Sequence, residues 1–515
     1  MNNYVTVCLS RRTILQSVAA STCLSSGLVF AQSATPSTDL STSAQAWRAM
    51  SRVGYGPSAA LVQTVQASRT PRDWALLQVD AAFNASQQAP RIASELADFN
   101  APLPRIYEGF KRERELRAKA KAQKSEEPTQ ANKRMDFSEP RDPEHYSRML
   151  VQQAAAWRLS SCSQPEVENP LLARMTEFWF NHLNVFSGKG AVRPFTGHYV
   201  VNVARRHALG KFEDLLLASA RHPAMLLYLD QAQSVADGTR GPQGKARGLN
   251  ENYARELMEL HTLGVNGGYS QTDVRELARV LTGWTVSRDD PSGFRFAQRL
   301  HDHGEKHVLG QRFPTTPQRS GEPEGEDAIR MLARHPSTAK RVSLRLAQFF
   351  IADQPSAELV QRISHTFTAT QGDLRAVMRT ILESPEFWQA DNRLFKTPMD
   401  YACSALTATQ GAAQEQVGSE PYRRNIVLTL GFLSNAGQPL HGWQTPDGYK
   451  VDAATWLVPE ALTRRADFAL ALARKTPDLD FLTPYLGAAT RDAVAKESPA
   501  LRAGLMLASP DFMYK

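Results

Sequence analysis

The chain has 515 residues, 42% hydrophobic and 22% charged, a balance that supports a large buried core and excludes a chain disordered throughout. Its formal charge of +8 invites nucleic acid as a partner, but the excess sits in two places: Arg11 and Arg12, and the run Lys111, Arg112, Arg114, Arg117, Lys119, Lys121 and Lys124. The remainder is close to neutral and the run reads as a solvated helix, so no nucleic-acid partner is expected.

At the N-terminus, Ser10 to Gln16 (SRRTILQ) resembles the twin-arginine export consensus. The mildly apolar stretch from Ile14 to Phe30 leads to Val29-Phe30-Ala31, a fit to signal-peptidase cleavage before Gln32. Residues 1–31 are therefore expected to be a signal peptide, residues 32–43 a flexible Ser/Thr-rich leader and residues 44–515 a helical domain. The apolar stretch is short and too polar to span a bilayer well, so the mature chain should carry no transmembrane helix and be periplasmic or secreted. The twin-arginine route carries folded proteins, often with a cofactor already in place, which adds weight to a bound metal or cofactor. Cys8 and Cys23 fall in the signal region, leaving Cys162 and Cys403. One disulfide suits an oxidising compartment, and two buried thiols fit equally well.

A first helix starts near Ala44 and breaks at Gly54–Ser58; Ser58 can cap the next, and Thr70-Pro71 opens a third. Glu108 to Lys124 is helical by propensity and Ser125 to Pro143 is polar and proline-bearing, so an exposed insertion is expected at about 108–143. Asn169-Pro170 opens LLARMTEFWFNHLNVF, and further helices follow from Phe212 and from His222-Pro223. A Gly-rich loop then leads into a helix beginning at NENYARELMELH, a turn at Gly267-Gly268, and a second helix from Thr272 to Trp284. Alternation on either side of His303-Gly304 predicts a β-hairpin over 294–313. From Glu326 the pattern is helical again. There is no GxGxxG, Walker loop, GxSxG or HExxH. The expected fold class is mainly α, a multi-helical single globular domain with one β-hairpin near residues 294–313.

FWFNHLNVF, NENYARELMELHTLGVNGGYSQTDVRELARVLTGW, HDHGEKHVLG, HPSTAKRVSLRLAQFF, KTPMDYACSALTAT and GQPLHGWQTPDGY occur in this order. Together they resemble the bacterial family called domain of unknown function 1800, from RVGYGPS to SPDFMYK. The resemblance implies a mostly helical, frequently exported protein. It also implies a frequent neighbour, an exported protein with a phosphatase- or sulfatase-like look, as a partner. The family's motif places His-Asp and Gly-x-Lys at His301, Asp302, Gly304 and Lys306, with the His303 position more variable.

On an ideal helix, Asn252, Arg255, Glu256 and Glu259 share one face, while His261 lies roughly opposite Glu259. Met258 stands three residues before His261, so the Glu-x-x-His pair of di-iron bundles is lacking. Arg255 with Glu259, and Glu276 with Arg279, are spaced for ion pairs. His182 falls on or beside the buried face of its helix, with Asn181 and Asn184 adding polarity. Strand alternation would put His301 and His303 on one face and Asp302 on the other. His182, His301 and Asp302 are thus the candidate ligands of a divalent transition metal (Zn, Mn or Fe), in a pocket between the two helical motifs and the hairpin. Glu256 and Glu259 are the candidate general base, or support for it, and Arg255 the anion anchor. His441, Trp443 and Tyr449 lie in a loop suited either to stacking on a sugar or aromatic substrate or to plain packing. For every cluster a structural polar network competes. The function that fits is an exported enzyme, a metal-assisted hydrolase or similar, acting on an envelope or extracellular substrate. The alternative is a non-catalytic accessory protein of the neighbouring exported enzyme.

Overall fold

Helices start where the sequence supplies a cap. Ser58 accepts from Leu61 N, Thr70 from Asp73 N, and Asn169 from the amides of Leu171 and Leu172, with Pro71 and Pro170 in the first turn, where no amide is needed. The structure is a computed structural model that describes residues 41–123, 145–239, 248–314, 321–413, 419–474 and 478–515. The expected signal peptide, most of the leader and the proline-bearing part of the insertion lie outside these residues. The described residues form a mainly α single domain around one hydrophobic core.

The helices that position the site are α1 (Thr42–Val53), α2 (Leu103–Gln123), α3 (Tyr146–Ser163) and α4 (Pro170–His182). They are followed by α5 (Asn252–Glu256), α6 (Gln271–Val280), α7 (Glu322–Arg334), α8 (Pro336–Phe350) and α9 (Pro398–Ala413). Helix α4 is the centre: every residue from Leu171 to His182 is buried. A helix buried all round must find an internal partner for each polar side chain. Arg174 pairs with Asp400 on α9, Glu177 with Arg158 on α3, and Asn181 donates to Tyr449 O at 2.9 Å. A disulfide joins Cys162 on α3 to Cys403 on α9, Cα to Cα 5.7 Å, which settles the open alternative between a bridge and two thiols. Arg52 on α1 donates to Phe350 O and Ile351 O at 3.2 and 3.0 Å, serving carbonyls that the end of α8 leaves unpaired.

One expectation changes, and another is given detail. The first part of the 108–143 segment is the end of α2, largely exposed, with Glu113 buried: it accepts from Ser147 N and Oγ at 3.0 and 3.1 Å while pairing with Arg117 at 2.8 Å. The single hairpin over 294–313 is replaced by two antiparallel pairs. Strand β1 (Trp284–Val286) pairs with β2 (Phe294–Phe296), and β3 (Lys306–Val308) with β4 (Gln311–Phe313). The alternation marked strands correctly, but β2 turns back onto the end of the preceding helical segment. His301 and Asp302 therefore lie between the two ribbons, so the strand-face argument does not apply to them. Among the described residues no helix is long and apolar enough to cross a membrane.

Candidate functional site

The NENYARELMELH stretch does not continue as an ideal helix. Helix α5 passes at Leu257 into a π-helical turn, Leu257–His261, closed by Thr262 Oγ1 on Leu257 O (2.6 Å) and by Gly264 N on Met258 O (3.1 Å). Such turns are infrequent and concentrate at functional sites. Gly264, with φ +87°, makes the reversal that follows. The wider turn leaves Glu256 and Glu259 partly exposed and buries His261. The separation expected between these carboxylates and His261 holds, though the turn that carries it is not an ideal one.

Arg255 forms the expected ion pair with Glu259 (3.6 Å) and a second with Glu251 (3.4 Å), and donates to Gln271 Oε1 at 2.9 Å. Its fork is taken up by its own helix and α6, so it cannot serve as the free anion anchor. Tyr269, beyond the Gly267-Gly268 turn, faces Glu259. Burial, then hydrogen bonding to that carboxylate and its charge, push the phenol up to about 12. Glu256 has neither a cation in bonding distance nor a hydrogen bond among the described residues. Burial raises its pKa above the usual glutamate value, and the charges of Glu259 and Asp447 add to this against the opposing pull of Arg255.

Asp447 reaches the site on the GQPLHGWQTPDGY loop, which α4 and the residues after it hold in place. Asn184 Nδ2 donates to Trp443 O and Thr445 O (3.2 and 2.9 Å), Asn181 Oδ1 accepts from Tyr449 N (2.6 Å), and Ser187 N donates to His441 O (3.1 Å). Tyr228 Oη adds a bond to Gln444 O at 2.6 Å. Gly448, at φ +71°, lies so close that a Cβ would stand 2.1 Å from Asn181 O, which explains a glycine there. Trp443 and Tyr449 pack on each other, ring centroids 4.6 Å apart. Packing is thus the reading of this loop that the geometry favours.

The remaining wall is α8. Arg341 donates from Nε to Leu260 O, at the π turn, at 3.0 Å. Arg345 lies one turn on. Burial lowers the pKa of both, with Arg345 adding to the effect on Arg341 and Asp447 opposing it on Arg345. His182 and His261 lie behind them. His182 Nε2 donates to His261 O at 3.1 Å, and burial, then Arg345 and Arg341, hold its pKa far below the ordinary imidazole value. Burial, then Arg341, hold His261 down to about 3. Both are neutral imidazoles, unsuited to proton transfer near neutral pH.

The expected ligand set of His182, His301 and Asp302 is not assembled. His301 Nδ1 donates to Thr282 O at 2.8 Å, and its Nε2 faces Glu324 Oε2 at 3.2 Å and Lys306 Nζ at 3.3 Å. Asp302 gives both oxygens to Arg279 (2.8 and 3.2 Å), which also holds Glu276 at 2.8 Å, the ion pair the spacing predicted. His182 shares no bond or ring contact with either residue. Among the described residues no three His, Cys, Asp or Glu side chains are placed to hold a metal ion. Of the three motifs expected to converge, two do. The hairpin's place is taken by the Asp447 loop and α8. Arg341, Arg345, Asp447, Tyr228 and Tyr269 were not foreseen. The signals in the sequence were that Arg341 and Arg345, Asp447 and Tyr269 lie in motifs that carry the family resemblance, and that Arg345 lies beside the apolar stripe Val342, Leu346 and Phe349.

A groove of about 1080 Å³ between α2 and the turn at Val286–Asp289 lies elsewhere. No curated protein and no solved structure matches the chain. The model of one family, described as "Protein of unknown function (DUF1800)", matches residues 48–514, nearly the whole length, and the chain therefore belongs to that family.

Proposed function

We propose that this protein is an exported hydrolase that works by carboxylate acid–base chemistry, with Glu256 as general acid and Glu259 as its partner. The observation that carries the reading is the unequal environment of two neighbouring carboxylates. Glu259 has an ion pair with Arg255 and the Tyr269 phenol, whereas Glu256 has no ion pair and no hydrogen bond among the described residues, and burial and neighbouring acids outweigh the through-space pull of Arg255 on it. Environments that separate two like groups in this way assign acid and base roles. Glu256 holds its proton to a higher pH than an ordinary glutamate and would donate it to a leaving group, and Glu259 would orient water or substrate. The proposal needs no metal ion, because the candidate ligands are engaged with protein partners.

Export is supported by the SRRTILQ run and by the Cys162–Cys403 bridge, which suits an oxidising compartment. An envelope or extracellular polymer is the substrate that fits that location. The test is release of new reducing ends or free amino groups from isolated envelope polymer by the mature chain and by Glu256→Gln. Loss of release in the variant, with folding intact, is the expected result. A fully active variant would remove Glu256 from the chemistry. A chain that hydrolyses nothing but captures the neighbouring phosphatase- or sulfatase-like protein would establish the accessory role instead.

A further inference from the structure

Arg341 and Arg345 stand one helical turn apart on α8, at the i, i+4 spacing that puts two side chains on one face. Buried or half-buried guanidinium groups need partners for their N–H donors: carboxylates serve Arg174, Arg205 and Arg158, and backbone carbonyls serve Arg52 and Arg465. Arg341 and Arg345 have fewer. Among the described residues neither forms an ion pair. Arg341 uses one N–H on Leu260 O (3.0 Å), and Arg345 makes no hydrogen bond at all. Asp447 acts on Arg345 through space without pairing with it. The two neighbouring imidazoles add no negative charge, since an imidazole is either neutral or cationic. The turn at Gly264 packs on Arg341, where a Cβ would come within 3.3 Å of Nη1, so the backbone holds that side chain in place.

An arginine offers five N–H donors in a fork that matches an oxyanion. We propose that Arg341 and Arg345 form an oxyanion subsite, and that they select a substrate carrying a carboxylate, sulfate or phosphate-ester group next to the bond that Glu256 serves. This deepens the hydrolase reading and rests on it for the word substrate; the subsite itself is a matter of binding. It also supplies the counter-charge that the fold withholds from Arg345.

The test uses sodium acetate, sulfate and phosphate as probes against sodium chloride at matched ionic strength, with the mature chain, Arg345→Met and Arg345→Lys. Thermal melting and titration calorimetry are the readouts. At least one oxyanion should raise the melting temperature saturably above the chloride control. Arg345→Met should abolish that rise, and should itself melt no lower than the parent in chloride, because it removes an uncompensated charge. Arg345→Lys keeps the charge without the fork, so oxyanion binding should weaken by roughly tenfold or more; it serves alone if the Met variant does not fold. The proposal is overturned if no oxyanion acts saturably on the parent, or if either variant binds as the parent does. Oxyanion binding without hydrolysis of any polymer would leave this subsite standing and remove the hydrolase reading. Hydrolysis of envelope polymer by a parent that no oxyanion stabilises saturably would do the reverse.

Discussion

Two groups of charged side chains are built around the same central helix and completed in opposite ways. Around Asp400 the charges close on themselves: its carboxylate takes Arg174 from α4 and Lys515 at 2.5 Å, while Arg174 also lies 4.4 and 4.6 Å from the rings of Phe349 and Tyr55. Where the π turn and the Asp447 loop meet α8 the charges are left open: neither Glu256 nor Arg345 forms an ion pair among the described residues, though both are partly withdrawn from water. The closed group pairs its charges internally and locks α4, α9 and Lys515 together, although Arg174 Nε and Nη2 stay without a hydrogen bond. The open group keeps an acid and a guanidinium that have no ion pair, an arrangement that costs stability and is useful only if something else completes it.

The sharpest way to break this contrast is to open the closed group. Asp400→Asn leaves Arg174 and Lys515 buried without their carboxylate and should cost roughly 3–5 kcal/mol in urea unfolding. The same group governs acid stability. Burial pushes the Asp400 pKa up, and Arg174 and Lys515 more than reverse this, holding it well below the usual carboxylate value. With the folded pKa below the unfolded one, its stabilisation is complete above about pH 5. It is lost as pH falls through about 4 towards the folded value. The parent should therefore lose stability more steeply than Asp400→Asn below pH 5, and parallel acid profiles would contradict the assignment.

Comparable in size, but read on rate, is the loss of the open group's acid. Glu256→Gln should lower turnover of an envelope polymer by about 10²–10⁴-fold and change stability by no more than about 0.5 kcal/mol. In the parent the rate should fall as pH rises through the elevated Glu256 pKa, since the acid acts in its protonated form; that descending limb should vanish in the variant. Smaller again is the bridge that fastens the closed side. Replacing Cys162 and Cys403 together by Ser removes a link across 241 residues of sequence and should cost about 2–4 kcal/mol. Turnover at a temperature where both proteins are folded should not change.

The same contrast explains what could be read from the sequence. Ion pairs at i, i+3 and i, i+4, such as Glu276 with Arg279 and Arg255 with Glu259, are local, so spacing alone revealed them. So did the helices opened by Ser58, Thr70 and Asn169. The π turn after Glu256 was hidden, because its cause is a pair of closing bonds from Thr262 and Gly264 rather than a residue pattern. Arg341 and Arg345 look like the polar edge of an amphipathic helix until it is known which residues fail to meet them, and that is a property of distant chain segments. For the same reason Cys162 and Cys403 could be counted but not joined. The His301 segment showed the reverse error: a dense run of ionisable residues drew attention as a site, and its density turned out to be mutual satisfaction.

That segment gives the smallest and most selective test. Asp302 is partly buried and accepts both arms of Arg279. Burial raises its pKa, and the Arg279 hydrogen bonds, the Gly304 amide and the Arg279 and Lys306 charges more than offset this. Asp302→Asn should cost about 1 kcal/mol, since one of the partners that Arg279 shares with Glu276 is weakened at a site that water still reaches. If the segment is architecture, the folded variant should turn over envelope polymer and bind oxyanions as the parent does. A tenfold fall in turnover at unchanged oxyanion binding would move the His301 segment into the reacting centre. Loss of a stoichiometric metal from the variant would restore the ligand set expected from the sequence. Either result would mean that a closed network can be opened by a substrate, and that the contrast with the open group around Glu256 and Arg345 is one of degree.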